Sequence, residues 1–405
     1  MFKNFNYDMA MNILGSLTPQ QFMQEYWQKK PLLIRQAIPN FKSPISPDEL
    51  CLLATNDYVE SRYIRHHHGN WELNYGPLGD LPDFSVPNWT ILIQNLEAHY
   101  DDIAQLMQKF RFVGDVRLDD IMASVASDGG GVGPHFDSYD VFLLQAYGQR
   151  HWRISQQDDL NLKPGLPLRI LDNFQPEQDY VLVPGDMLYL PPHIAHDGIA
   201  QGICVTLSIG FRAPSLATLA RGLLDTAGDH LMARIGDFSG LYSEDPLDGP
   251  VLDSHYSDPN APATNTPAQI PQALIDTALK AVKTIEFNPA LAARFLGHWL
   301  SEPSASAYFE ESNSPLTIDL EEALPETGRL ELHRGTRMLY TDTELFINGE
   351  LAPLAPSPAL KKLADQRYLN CTAELGQQLN ASERQLLALW MDEAWLLYKP
   401  TPRKA

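Results

Sequence analysis

Residues 121–152 read IMASVASDGGGVGPHFDSYDVFLLQAYGQRHW, and this stretch decides the fold. Its first six residues alternate. Met122, Ser124 and Ala126 fall on one face and Ile121, Ala123 and Val125 on the other, the period of a strand with one side toward a cavity. Asp128-Gly129-Gly130-Gly131 then breaks the strand, where glycines permit positive φ and let the backbone pass close to a ligand. Gly133-Pro134-His135-Phe136-Asp137 follows. On extended chain His135 and Asp137 present their side chains on one face, as two ligands of a single ion require. Tyr139 to Tyr147 is almost continuously apolar and predicts a strand buried on both faces. Gly148-Gln149 predicts a turn, with Arg150-His151-Trp152-Arg153-Ile154 returning as the hairpin partner.

Further along, Tyr180–Val183 predicts a strand, Pro184-Gly185-Asp186 a tight turn and Met187–Leu190 the return strand. Pro191-Pro192-His193-Ile194-Ala195-His196 then places two histidines at a strand end. Either could join His135 and Asp137, and His196 lies 59 residues beyond Asp137. Two imidazoles and one carboxylate form the facial triad that holds non-haem Fe(II) and leaves coordination positions open. The last strand, Cys204–Phe211, puts Thr206, Ser208 and Gly210 on one face, as small or hydroxyl residues lining a cavity would be. Strands separated by short turns from 121 to 211 describe a jelly roll or cupin-type barrel whose mouth holds the ligands. Arg150 is either a rim cation or an anchor for the far carboxylate of a metal-chelating dicarboxylate, which its planar fork suits.

The run GGGVGPHFDSYDVFLLQAYGQRHW, the segment VPGDMLYLPPHIAHDGIA and the ending LSIGFRAP strongly resemble bacterial JmjC-type (cupin-like) ribosomal oxygenases, nearest those that 3-hydroxylate an arginine of ribosomal protein L16. The likeness extends to QEYWQKKPLLIRQA and WTILIQ, spanning residues 15–215, and is looser beyond. It implies Fe(II) ligands at His135, Asp137 and His196, selecting His196 over His193. It also implies that Arg150 pairs with the distal carboxylate of 2-oxoglutarate, that Ser124 hydrogen-bonds the same end, and that Ser208 is a further pocket residue. The implied reaction consumes O2, oxidises 2-oxoglutarate to succinate and CO2, and hydroxylates a protein side chain. Asp128 and Asp140, acidic groups near the expected mouth, are candidates to hold a substrate guanidinium. An N-methyl-lysine demethylase and a non-catalytic cupin scaffold are the alternatives, and the intact set of His135, Asp137, His196 and Arg150 argues against the scaffold.

The flanking regions read as supports. Thr18 and Pro19 start a helix carrying Phe22, Tyr26 and Trp27, and a strand LLIRQA follows Lys30-Pro31. A second helix follows Ser46-Pro47. Strands are expected at Ser61–Arg65 and Trp71–Asn74, with His66, His67, His68 and Gly69 as a solvated hairpin tip, since neighbouring residues on a strand point to opposite faces. Trp89–Tyr100 reads as a helix with Leu92, Leu96 and His99 on one side, and residues 101–110 continue helically. After Pro214 the texture turns helical. Ser215 caps a helix through Leu216, Leu219, Leu223, Leu224, Leu231 and Met232, an exposed loop covers 240–270, and helices resume at Pro271–Thr284 and Pro289–Leu300. Residues 301–315 read as a linker. Beyond it, strands at Arg329–His333, Met338–Thr341, Glu344–Ile347 and Ala394–Lys399, with helices near Pro358–Ala364 and Glu383–Trp390, suit a small winged-helix-like module. Its Lys361, Lys362, Arg367 and Arg384 are balanced by Asp342, Glu344, Glu374, Asp392 and Glu393, so it carries no basic stripe for DNA.

The expected class is therefore α+β: an oxygenase domain over residues 1–214, a helical region over 215–305 that the resemblance makes a homodimer interface, and a winged-helix-like domain over 306–405. A net charge of −21, from 51 acidic against 30 basic residues, repels phosphate backbones and favours a basic protein as partner, although it also simply keeps a chain soluble. No apolar run reaches the length of a membrane span. The start, MFKNFNYDMAMNILGSL, lacks the pattern of a secretory leader, and Cys51, Cys204 and Cys371 are too few and too scattered for a disulfide framework. A reducing cytoplasm is expected.

Overall fold

Thr18 accepts a hydrogen bond from the Gln21 amide while the Gln21 side chain accepts one from Thr18 N, and this capping box starts helix α1 (Pro19–Glu25). The computed structural model describes residues 13–237, 244–309, 320, 324 and 327–400, so residues 1–12 of the start, 240–243 of the expected loop and 310–315 of the expected linker lie outside it. Strand β1 (Leu32–Ile34) follows, then α2 (Pro47–Leu53), which Ser46 and Glu49 cap in the same way. Next come β2 (Ser61–His67), β3 (Asn70–Tyr75), β4 (Trp89–Ile93), a 3-10 turn at Leu96–Ala98 and α3 (Asp101–Gln108). Strands β5 (Leu118–Ala126), β6 (Val141–Ser155), β7 (Gln178–Leu182), β8 (Met187–Leu190) and β9 (Ala195–Phe211) complete a nine-stranded sheet. Its order is β1-β8-β6-β9-β5-β4-β2-β3, with β7 also on β6, and every pairing is antiparallel.

Three expectations fail here for physical reasons. Trp89–Ile93 is a strand between β2 and β5, not the first turns of a helix. Leu92, Leu96 and His99 do fall at helical spacing, but a five-residue apolar run buried on both faces has no periodicity of its own, and sheet pairing decides it. Likewise Gly148-Gln149 does not reverse the chain. Residues 141–155 form one strand, and Gly148, at φ +61°, marks a bulge where the register with β9 slips. Strands β7 and β8 do not pair with each other either. They line up along the same edge of β6, opposite Arg150–Ile154 and Val141–Leu144 respectively, and the Pro184-Gly185 turn steps the chain past the bulge.

One face of the sheet is covered by the N-terminal elements. Ile91 and Ile93 on β4, Ile121, Ala123 and Val125 on β5, and Val205, Leu207 and Ile209 on β9 all join the main apolar cluster. Phe22 packs against Phe142 and Tyr189 at ring-centroid distances of 5.3 and 4.9 Å, and Trp27 against Phe211 at 5.1 Å. Each such aromatic stabilises by roughly 1.5–3 kcal/mol. Strand alternation turns Thr90, Leu92, Ser124, Ala126, Cys204, Thr206 and Ser208 to the opposite face, where the site lies.

The chain divides into two units, the first holding residues to Ala213 with 304–310 and 333–335, the second holding the remainder. In the second unit, Ser215 caps α4 (Leu216–Arg234), and α5 (Gln272–Val282) and α6 (Pro289–Ser301) follow. α4 turns Ala227, His230 and Ala233 inward and leaves Leu216, Leu224 and Met232 of its expected apolar stripe exposed. Strands β10 (Arg329–Leu332), β11 (Met338–Tyr340), β12 (Leu345–Ile347) and β13 (Glu350–Leu351) precede α7 (Pro358–Gln366), β14 (Tyr368–Asn370), α8 (Ala373–Gln378), α9 (Ala381–Asp392) and β15 (Leu396–Lys399). Two three-stranded sheets, β14-β10-β15 and β11-β12-β13, result. The short β13, β14 and α8 were not expected from sequence. Gly297 on α6 lets the Phe346 ring of β12 approach, since a Cβ there would lie 2.4 Å from it.

Gly148→Ala should destabilise the protein by roughly 2–4 kcal/mol, because positive φ is combined with a Cβ placed 2.1 Å from the Ile203 carbonyl oxygen. Gly69→Ala, also at positive φ but with no atom near its Cβ, should cost only about 1 kcal/mol. Urea unfolding of both variants measures the difference, and equal losses would contradict the bulge.

Candidate active site

The glycine run is built for neighbouring strands. A Cβ on Gly130 would lie 2.1 Å from the Trp89 carbonyl oxygen, and one on Gly131 would lie 2.6 Å from that of Gly198. Gly129 N donates to Ala200 O (3.0 Å) and Ala200 N to Gly130 O (2.8 Å), so the loop is stitched to β9 before it reaches His135. The close approach expected toward a ligand is thus toward backbone.

His135 and His196 face each other in an isolated antiparallel bridge, with His135 N donating to His196 O (2.9 Å) and His196 N to His135 O (2.8 Å). Their ring centroids are 4.2 Å apart, and His196 Nε2 lies 3.6 Å from Asp137 Oδ2. Ligand atoms of His135, Asp137 and His196 all fall within 4.8 Å of one another, a grouping found nowhere else among the described residues. Each Nδ1 meets a carbonyl oxygen, His135 that of Gly133 (2.8 Å) and His196 that of Ile194 (2.9 Å). A carbonyl only accepts, so both Nδ1 atoms carry the proton and both Nε2 lone pairs are free for a cation. Burial first, and His135 second, hold the His196 imidazole well below the usual histidine range against the pull of Asp137, which keeps it neutral and able to ligate. His193 stands apart: it sits at φ +66°, exposed, and contributes its N–H to Asp137 O (2.8 Å).

Arg150 reaches the same face from β6. It is buried at 3% exposure, its Nη2 is 3.5 Å from Cys204 Sγ, and its Nε has no partner. No carboxylate pairs with it among the described residues. Ser124 Oγ on β5 is likewise buried and unpartnered, and so is Trp152 Nε1, whose ring lies over Gly198 and 5.9 Å from that of His196. Ser208 lies on the same face of β9, opposite Met122 and two pairs from Cys204, which stands opposite Ala126. Buried donors without acceptors are costly, and several of them around one gap fit an anion with oxygen acceptors at that position. Sequence reasoning missed Trp152 and Cys204, since neither residue type signals a pocket until the register places it beside Arg150.

A JmjC domain model matches residues 105–219, and a ROXA-like winged helix model matches residues 281–396. The chain is 33% identical over 357 residues to the ribosomal protein uL16 3-hydroxylase of Escherichia coli (strain K12), covering 87% of this chain and 90% of that one. The chain belongs to the JmjC ribosomal oxygenase family. It is also 30% identical to a probable ribosomal oxygenase of Haemophilus influenzae, over 94% of this chain and 96% of the relative. The structure of YcfD, a ribosomal oxygenase from Escherichia coli, in complex with cobalt and 2-oxoglutarate, matches with a TM-score of 0.74 and 29% identity over 95% of this chain and 99% of that one. The same oxygenase has been solved with cobalt and succinic acid, with a TM-score of 0.74 at 30% identity over the same shares of the two chains.

In this ribosomal oxygenase one of the two acidic groups expected at the mouth is withdrawn from it. Asp140 is fully buried and engaged, accepting from Tyr189 Oη (2.6 Å), Gln28 Nε2 (2.9 Å) and Arg117 Nη2 (3.3 Å), so it cannot also hold a substrate. Asp128 is exposed, and its Oδ1 accepts from Gly202 N (2.7 Å). Asp120, two residues before Met122, shares its surroundings with the Tyr139 phenol, which also lies near Asp137. Burial first, then Asp137 and Asp120, push the Tyr139 phenol up. With its amide turned so that both ends are satisfied, Gln94 links Asp120 to Arg62, its NH2 2.8 Å from Asp120 Oδ2 and its oxygen 2.5 Å from Arg62 Nη2. Burial raises Asp120 to about 6. The three adjacent histidines do not converge: His66 stacks on Trp71, and His67 and His68 are exposed at the hairpin tip. His151 meets Asp179 at the rim (3.4 Å).

Behind Asp120, Glu97 accepts a hydrogen bond from Ile121 N (2.8 Å), and burial first and Asp120 second raise its carboxyl to about 8. The folded protein therefore keeps a proton that the unfolded chain releases near its ordinary value of about 4.3, so stability falls as pH rises between the two. Glu97→Gln should leave stability at pH 4.5 nearly unchanged and raise it progressively toward pH 8. Urea midpoints of both proteins across this window report the slope, and parallel profiles would contradict a protonated Glu97.

Proposed function

We propose that this protein hydroxylates an arginine of ribosomal protein uL16, with Fe(II) held by His135, Asp137 and His196 and with 2-oxoglutarate and O2 as co-substrates. The observation that carries the reading is the buried Arg150 guanidinium, which has no carboxylate partner among the described residues and lies on the same face as the His-Asp-His group. A buried cation is retained when something supplies its counter-ion. The distal carboxylate of 2-oxoglutarate does so, with Ser124 donating beside it and Ser208 further along the same face. Bound Fe(II) would couple O2 activation to oxidation of 2-oxoglutarate to succinate and CO2. The chain supplies orientation: the Gly133 and Ile194 carbonyls hold the Nδ1 protons and aim both Nε2 atoms at the ion.

The substrate assignment is supported by the Escherichia coli relative, a ribosomal protein uL16 3-hydroxylase, and by Asp120 beside Tyr139, a carboxylate suited to a guanidinium. The charge of −21 favours a basic ribosomal protein approaching alone, without direct nucleic-acid contact, and the setting of ribosomal proteins is the cytoplasm. Among the described residues no helix is long and apolar enough to cross a membrane. A homodimer through the helical region is supported by exposed Leu274, Leu279 and Val282 on α5 and Leu216 and Leu224 on α4.

Incubation with Fe(II), 2-oxoglutarate and peptides of basic ribosomal proteins should add one oxygen to an arginine of the uL16 peptide, read by tandem mass spectrometry. His135→Ala and Arg150→Gln should each lower succinate production by more than about 100-fold. Succinate with no oxidised peptide would remove the substrate assignment, formaldehyde release from a methyl-lysine peptide would favour demethylation, and no 2-oxoglutarate turnover at all would favour a binding scaffold. Separately, Leu279→Glu with Val282→Glu should convert the dimer to a folded monomer in sedimentation velocity; an unchanged sedimentation coefficient would place the interface elsewhere.

A further inference from the structure

Thr90 is fully buried on β4, and its hydroxyl has no hydrogen-bond partner. A hydroxyl left dry and unpaired is costly, and buried threonine ordinarily returns its proton to a nearby carbonyl. The pairing shows what it faces. Thr90 stands opposite Ala126 on β5, and Ala126 stands opposite Cys204 on β9, so the three form one continuous row across three strands. Trp89, Ile91 and Ile93, its neighbours in alternation, point into the main apolar cluster, which sends Thr90 to the other face, together with Ser124.

Arg150 stands one step aside, opposite Ala200, and its side chain reaches the end of the row, with Nη2 3.5 Å from Cys204 Sγ. Ala126, Ala200 and Cys204 pack together as a small cluster of their own, a floor of short side chains between the threonine and the guanidinium. Three buried and unsatisfied polar groups, Thr90 Oγ1, Ser124 Oγ and Arg150 Nε, are therefore carried on the strands around the small Ala126, Ala200 and Cys204 cluster.

Resting on the co-substrate reading above, we infer that Thr90 donates a hydrogen bond to the distal carboxylate of the dicarboxylate co-substrate, opposite Arg150, and so helps to select a five-carbon dicarboxylate over shorter 2-oxoacids. A carboxylate has acceptor sites for the arginine fork and for two hydroxyls at once, so Thr90 and Ser124 do not compete. The small floor matters as much as the hydroxyl. A larger residue at Ala126 would fill the space in which the carboxylate must sit.

The test is calorimetric titration of Mn(II)-loaded protein, under argon, with 2-oxoglutarate and with 2-oxobutyrate, which keeps the chelating end and lacks the distal carboxylate. Thr90→Val, which keeps the shape and removes the hydroxyl, should weaken 2-oxoglutarate about tenfold or more and leave 2-oxobutyrate unchanged. Thr90→Ser should restore most of the loss. Arg150→Gln serves as the control for the co-substrate site itself. If Thr90→Val binds 2-oxoglutarate as the wild type does while Arg150→Gln has lost it, the Thr90 assignment is overturned and the co-substrate reading stands. Equal weakening toward both ligands would show a packing role and overturn it as well. If neither substitution changes 2-oxoglutarate binding, the co-substrate reading fails, and the Thr90 assignment falls with it.

Discussion

The antiparallel pairing of β6 with β9, from Val141 opposite Gly210 to Ser155 opposite Ala195, is the constraint on which the candidate site depends. It sets Arg150 against Ala200, Trp152 against Gly198 and Ile154 against His196, so the guanidinium and the imidazole share one face of one ladder. Both strands are longer than average, at 15 and 17 residues, and the bulges between Gln145 and Gln149 absorb the twist that such length accumulates. Gly148 is the residue that makes this possible. Its Cβ position is already occupied by the Ile203 carbonyl, so the ribbon can bend there only without a side chain.

The residues that were legible in sequence are those whose chemistry is local. The capping boxes at Thr18 and Ser46, the alternation of β5 and the two-residue spacing of His135 and Asp137 need only a few neighbours to be read. What was not legible depends on pairing. Trp89–Ile93 has the same apolar composition whether it coils or extends, and its fate is settled by β2 and β5 on either side. Gly148-Gln149 has the composition of a hairpin turn, yet pairing with β9 resumes on its far side, so the chain bulges there and continues instead of reversing. Asp140 looked like a mouth residue because it follows the metal loop. It is drawn inward by Tyr189, Gln28 and Arg117, which arrive from remote parts of the chain.

The covered face and the site face of the sheet obey different rules. On the covered face, aromatic and aliphatic side chains form one apolar cluster, and the buried Asp140 beside it is satisfied by Tyr189, Gln28 and Arg117. On the site face, hydroxyls, a guanidinium Nε and an indole N–H are buried without partners, a set of local violations that a fold keeps where a ligand completes it. The same contrast marks the mouth, where Asp120 and Glu97 retain protons more tightly than carboxyls in water because the surrounding sheet excludes solvent.

The bridge between His135 and His196 also makes the site all-or-none. The separation of the two imidazoles is fixed by backbone hydrogen bonds between facing residues rather than by how the rings pack. Side-chain direction alternates with every residue, so a slip of one position would turn His196 to the opposite face, take Gly198 from beneath Trp152 and carry Ala200 away from the arginine together. No intermediate register holds half a site. Evolution along this scaffold can therefore retune individual walls of the pocket one side chain at a time, while the geometry of the ion itself is inherited whole or lost whole.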